Sequence, residues 1–152
     1  MGGLFFDADK DGDQDLLVLA GGNEDDIRDP VYTQRLYLNS GKGSYTEARD
    51  ALPPIITSAQ RAAAADIDGD GDVDVFIGGR TTPAHYPFAP RSFLLVNDGT
   101  GHFGDATQQL APSIMGPGMV TDAKFADMDG DHDPELLLCG EWMNVMYLRN
   151  DG

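Results

Sequence analysis

The sequence predicts an all-β fold of β-propeller blades, each a four-stranded antiparallel sheet, with about two and a half to three blades in 152 residues. Three observations predict it. Aspartate-rich windows recur at near-equal spacing, and a second motif follows them on the same period. Short apolar runs alternate with clusters of Gly, Asn, Asp and Pro, the pattern of brief strands joined by turns.

The first series reads DADKDGDQDLLVLAGG from Asp7, DIDGDGDVDVFIGGR from Asp66 and DMDGDHDPELLLCGEW from Asp127, with starts 59 and 61 residues apart. The second reads RLYLNSGKGSY from Arg35, SFLLVNDGTGHF from Ser92 and MYLRNDG from Met146. Repeats of approximately 1–57, 58–118 and 119–152 follow, the last incomplete. In the middle repeat the strands are expected at 61–65, 73–77, 93–96 and 102–107, with the aspartate window joining the first pair and NDGTG at 97–101 turning the last hairpin. No helix is required. The alanines at 62–65 favour a helix by propensity alone, but the matching segments GLFFD and AKFAD have strand-like patterns. A period near 60 exceeds the roughly 40 to 50 residues of common blade repeats. The excess lies in loops 23–34 and 81–91, where binding specificity would reside.

Composition narrows the partners. Gly and Pro total 28 residues (19 and 9), which suits turn-rich β structure. The net charge of −16 disfavours nucleic acid and anionic membrane surfaces, since binding phosphates needs clustered Lys and Arg. No apolar stretch approaches the roughly 20 residues that span a bilayer, so no membrane insertion is expected. The opening MGGLFFDAD lacks the basic and apolar regions of an export signal. Cys139, within LLLCGEW, has no partner for an internal disulfide and reads as a small buried hydrophobe.

Of the 26 acidic residues, 15 fall in the three nine-residue windows. They are Asp7, Asp9, Asp11, Asp13 and Asp15; Asp66, Asp68, Asp70, Asp72 and Asp74; and Asp127, Asp129, Asp131, Asp133 and Glu135. Like charges 4 Å apart repel by about 1 kcal/mol in water and about 4 kcal/mol at an effective dielectric of 20. A divalent cation relieves that repulsion. Ca²⁺ suits an all-oxygen set, whereas zinc prefers His and Cys and magnesium keeps its waters. Side chains at positions one, three, five and nine, with the carbonyl at seven and a water, complete the set, while the side chain at seven points outward. Gly12 and Gly71 at position six permit the sharp turn. A helix-loop-helix site would need an acid at position twelve, where Val18, Ile77 and Leu138 stand, and an exiting helix where the chain has short β-type runs. Up to three Ca²⁺ are expected, bringing the charge from −16 to about −10. The third loop should bind most weakly, because His132, Pro134 and Glu135 replace the residues of the other two at positions six, eight and nine.

These windows resemble the FG-GAP and VCBS repeat families, whose blades carry such a calcium loop between their first two strands. More narrowly, the order FFDADKDGDQDL, GGNE, RLYLN, ALP, GGR, YP, LLVNDGTGHF, GMVTDA and GEWM resembles bacterial VCBS repeat proteins with an ASPIC/UnbV domain, relatives of the cartilage acidic protein. The resemblance implies a seven-or-eight-bladed propeller with structural calcium, extracellular or at a bacterial surface or periplasm, acting in adhesion or recognition of a protein or glycan ligand, and no catalytic residue. It also implies an internal piece of a longer propeller, completed by further blades or by self-association.

Enzyme signatures are weak. GTGHFG at 99–104 matches a dinucleotide-binding glycine pattern but aligns with the hairpin turn GKGSY of the first repeat. His85, His102 and His132 have no metalloprotease spacing, and no nucleophile-elbow motif occurs. Arg80, Arg91, His85, Tyr86 and Trp142 are candidates for a glycan-binding or lyase-like surface, so a segment of a secreted carbohydrate-active enzyme is the alternative to a recognition scaffold.

Overall fold

A computed structural model describes residues 2–26 and 28–152; Met1 of the first repeat and Ile27 of the first long loop lie outside that set. The chain forms three antiparallel sheets in succession. The first is β1 (Gly2–Phe6), β2 (Asp15–Leu19), β3 (Arg35–Asn39) and β4 (Tyr45–Glu47), in sequence order across the sheet. The second is β5 (Ser58–Ala65), β6 (Asp74–Thr81), β7 (Phe93–Asn97) and β8 (Phe103–Asp105). The third has three strands, β9 (Met119–Ala126), β10 (Glu135–Glu141) and β11 (Met146–Leu148). The first strands β1, β5 and β9 lie beside one another, as the innermost strands of adjoining blades do.

Residues 62–65 are strand, not helix. Ala62 pairs with Ile77 and Ala64 with Val75, so tertiary pairing overrides alanine's helix preference. Strand β6 runs four residues beyond the expected end, to Thr81. Helical segments are confined to connections, among the described residues: the single turn α1 (Thr107–Leu110) and 3-10 turns at Pro30–Tyr32 and Pro112–Met115. Pro begins both 3-10 turns, where its fixed φ is pre-set and its missing N–H has no cost.

Two apolar layers hold the sheets together. Leu17, Leu19 and Leu36 of the first sheet meet Val75, Ile77 and Leu95 of the second. From the opposite face of the second sheet, Phe76 and Leu94 meet Val120, Leu136 and Leu138 of the third. The middle sheet is thus covered on both faces, and every residue from Asp74 to Gly79 in β6 is buried. Strand β10 is covered on one face only, so burial alternates: Leu136 and Leu138 are buried, Leu137 is half-buried and Cys139 is exposed.

The expectation of a buried Cys139 is therefore incorrect. Composition around it is apolar, but the two-residue period of the strand turns it with Leu137 to the uncovered face.

The same register predicts a contrast in stability. Phe76→Ala empties the layer between the second and third sheets and should cost about 3 to 5 kcal/mol. Leu137→Ala, at the equivalent position on β10, should cost about 1 kcal/mol or less because solvent already reaches it. Urea unfolding of both variants checks the difference.

Candidate metal centre

Each aspartate loop closes the first hairpin of its sheet, with the acid at position nine paired to the last residue of the preceding strand: Phe6 with Asp15, Ala65 with Asp74 and Ala126 with Glu135. Inside the loop, carboxylates replace the missing ladder by accepting from the backbone. The N–H at position six donates to the position-one carboxylate in all three, from Gly12 to Asp7 at 3.0 Å, Gly71 to Asp66 at 2.9 Å and His132 to Asp127 at 3.2 Å. The N–H at position seven donates to the carboxylate at five, in Asp13 to Asp11, Asp72 to Asp70 and Asp133 to Asp131, at 2.9, 2.8 and 3.0 Å. The N–H at position two donates to the acid at nine, in Ala8 to Asp15, Ile67 to Asp74 and Met128 to Glu135, at 2.7, 3.0 and 2.8 Å. Three sequences thus adopt one loop.

That loop needs a left-handed residue at two positions. Position six is Gly12 (φ 90), Gly71 (φ 86) and His132 (φ 80), as the expected turn requires. Position four was not singled out in the sequence, yet it holds Lys10 (φ 59), Gly69 (φ 74) and Gly130 (φ 85). Only the second loop has glycine at both. The first carries its strain at Lys10 and the third at His132.

The loops bring carboxylate oxygens within 4.8 Å of one another from Asp7, Asp9 and Asp15, from Asp66, Asp68 and Asp70, and from Asp127, Asp129 and Glu135. Asp11, Asp74 and Asp131 stand outside these closest sets. Asp74 is committed to backbone, its two oxygens accepting from Ile67 and Asn97. The position-seven side chains also stand outside: Asp13, Asp72 and Asp133 lie against Gly41, Gly99 and Gly152, in the turn after the third strand of each sheet.

The residues fit a hard divalent cation. Asp7 Oδ1 and Glu135 Oε1 are buried carboxylate oxygens without a hydrogen-bond donor, an expensive state that a cation relieves. Burial raises the pKa of Asp9, and the charges of Asp11, Asp15 and Asp7 add to the rise. Asp129 is raised by burial and by Asp131. Burial pushes Asp74 up to about 6, against the two N–H groups it accepts from. Arg149 stands 3.6 Å from Asp129, giving the third loop a resident cation that the others lack at position three among the described residues.

Contacts between neighbouring loops extend the site. Asn97, the last residue of β7, donates to the Ala8 carbonyl at 2.8 Å, and Asn150, two residues past β11, donates to the Ile67 carbonyl at 2.7 Å, so an asparagine at the end of one sheet's third strand or just beyond it reaches position two of the previous sheet's loop. Lys10 forms an ion pair with Asp72 of the next loop. The recurring Asn of LYLN, LLVN and YLRN was the available signal for this tie.

The sequence-flagged surface residues divide. Arg80 pairs with Glu141 at 2.7 Å, and Trp142 donates to the Tyr86 hydroxyl at 3.1 Å. His85 is exposed beside Tyr86. Arg91 is engaged elsewhere, with Asp105 at 2.7 Å and over the Phe93 ring at 4.5 Å. Gly99 and Gly101 of GTGHFG form the expected turn, and Gly104 already lies in β8.

Two predictions follow from the loop backbone and its charges. His132→Gly should stabilise the metal-free chain by about 1 kcal/mol, while Lys10→Gly gains less because it also loses the pair with Asp72; urea unfolding in EDTA measures both. Asp74 binds its proton more tightly when folded than unfolded, so metal-free stability should fall as pH rises from about 4 to about 6. Asp9 and Asp129 act in the same direction. Calcium competes with those protons, so its stabilising effect should grow over the same interval, read from melting curves with and without the ion.

Comparison with curated proteins gives no match. Residues 5–77, which contain the first two aspartate loops and run into β6, match the family model described as FG-GAP-like repeat, and over that segment the chain is similar to that family.

Proposed function

We propose that this chain is a calcium-stabilised segment of a β-propeller that serves as a recognition scaffold outside the cytoplasm and has no catalytic role. The observation that carries the reading is the repeated loop: three different sequences fold to the same hydrogen-bond pattern and gather carboxylates at one point. Asp7, Asp9 and Asp15, then Asp66, Asp68 and Asp70, then Asp127, Asp129 and Glu135 would hold one Ca²⁺ each, with the remaining loop acids lending negative charge. The ion supplies charge neutralisation and stiffens each first hairpin. The similarity to FG-GAP-like repeats supports the extracellular setting, and the order of motifs supports placing the chain with VCBS repeat proteins that carry an ASPIC/UnbV domain. Its ligand would be a protein or glycan met outside the cell.

Calcium titration tests the reading. With dissociation constants of about 0.1 mM, each filled loop at about 1 mM Ca²⁺ adds about 1.4 kcal/mol of stability. Calorimetry should show the second loop tightest, with glycine at both strained positions, and the third weakest, with His132 and Arg149 opposing it. Asp66→Asn, Asp7→Asn and Asp127→Asn assign the steps. A melting temperature indifferent to calcium sinks the proposal.

A further inference from the structure

The end of the molecule opposite the aspartate loops carries a second constellation. Antiparallel order places the connections between second and third strands there, at 20–34, 82–92 and 142–145. Side chains link them in series. Asn23 of the first accepts from the Ala84 N–H of the second at 2.9 Å, and Tyr86 of the second accepts from Trp142 of the third at 3.1 Å. Arg80 and Glu141, at the ends of β6 and β10, pair across the same junction at 2.7 Å.

A cleft of about 420 Å³ opens between the first two of these connections. Asn23, Ser58, Gln60, Arg80 and Thr81 bring polar groups into it beside Ala59 and the Gly21 and Gly22 backbone, and Tyr86 forms its aromatic edge. Trp142 extends that edge. Tyr86 and Trp142 are 62% and 69% exposed, yet both are held by their mutual hydrogen bond, an arrangement that solvent exposure alone does not favour.

Backbone strain marks the same place. Four described residues other than glycine have positive φ. Lys10 and His132 belong to the aspartate loops, and the other two, Ala84 (φ 60) and Trp142 (φ 59), belong to this junction. A left-handed tryptophan is sterically costly, and the position would be satisfied by glycine at no such cost. Residues held in that region concentrate where a side chain must be presented to a ligand.

We propose that this junction is a binding site for a neutral saccharide. A sugar ring has an apolar face that stacks on exposed aromatic rings and a rim of hydroxyls that exchange hydrogen bonds with amide, hydroxyl and guanidinium groups, and the junction offers both. Charge selects the neutral class. Arg80 is balanced by Glu141, and Glu24, Asp25 and Asp26 on the first connection, with the chain's net charge of −16, repel acidic sugars. The cleft mixes amide, hydroxyl and guanidinium groups with apolar surface, as a ligand with both a hydroxyl rim and an apolar face requires. This site rests on the scaffold reading given above and names its ligand.

Trp142 is the chain's one tryptophan, so its emission reports on the site directly. The full chain in calcium is titrated with cellobiose, maltose, lactose and diacetylchitobiose, and applied to an array of neutral and acidic glycans. A saturable emission change with at least one disaccharide, and array binding confined to neutral glycans, is expected. Tyr86→Ala should weaken binding about tenfold. Trp142→Gly should abolish it while leaving the calcium-dependent melting transition unchanged or higher, since the strain is removed with the ring.

The site is overturned by an empty array with no saturable emission change, by binding of acidic glycans or of polypeptide alone, or by array binding that survives both Trp142→Gly and Arg80→Ala. In each of those cases an intact calcium transition leaves the scaffold reading standing. A wild-type chain whose melting ignores calcium removes the scaffold reading itself.

Discussion

Mutual repulsion among carboxylates that the chain itself forces together governs this molecule. The acid at position nine cannot retreat to solvent, because Asp15, Asp74 and Glu135 each begin a second strand and are themselves almost wholly buried. They anchor the loop by accepting the N–H of position two, which draws the acids at positions one and three inward with them. The backbone N–H groups offset part of the repulsion, but Asp7 Oδ1 and Glu135 Oε1 receive none. Protonation relieves part of what remains, since burial holds the pKa of Asp9, Asp74 and Asp129 above the usual carboxylate range, and a cation bound in the loop would relieve more.

The loops are not independent of blade packing. Asn97 and Asn150 take the carbonyl at position two of the preceding loop, the same residue whose N–H is held by the acid at nine. One peptide neighbourhood therefore joins a cation site, a hairpin and the next sheet. Lys10 adds a charge contact from the first loop to the second. In a repeat protein whose stability is a sum of unit and nearest-neighbour terms, this places the loop within both terms, so an ion that filled one loop would also strengthen the adjoining interface.

Much of this was legible because it depended on local pattern. The five-acid windows, the glycine at position six and the NDG turns are short-range signals, and the strands beside them follow from two-residue alternation. What escaped depended on neighbours distant in sequence. Position four is left-handed in all three loops, but Lys10 masks it, since a long cation there looks like surface rather than like a strained turn. Cys139 sits in an apolar run, and only the absence of a sheet over its face in this chain decides that it is exposed. Arg91 resembles Arg80 in the sequence, yet one is consumed by Asp105 and Phe93 while the other lines the cleft. The buried Gln34, which accepts from Ala20 and donates to the Tyr32 and Thr57 carbonyls, carries no sequence signal at all.

The two ends of the molecule are connected by the second strands. β6 starts at Asp74 in the second aspartate loop and ends at Thr81 beside Arg80 in the cleft, a span of about 23 Å at the usual rise of a strand. β10 runs likewise from Glu135 to Glu141, one residue before Trp142. β6 pairs with β5, and β10 with β9, from first residue to last, so the loop that sets the start of such a strand bears on the residues at its far end. A cation bound at one end would thus bear on the geometry of Arg80, Glu141 and Trp142 at the other, although none of these touches a candidate metal ligand. A loop that bound a ligand and an ion together would have to trade one affinity against the other; with the two proposed sites at opposite ends of the second strands, an ion could stiffen one end while the connections at the other remained free to be shaped for a ligand.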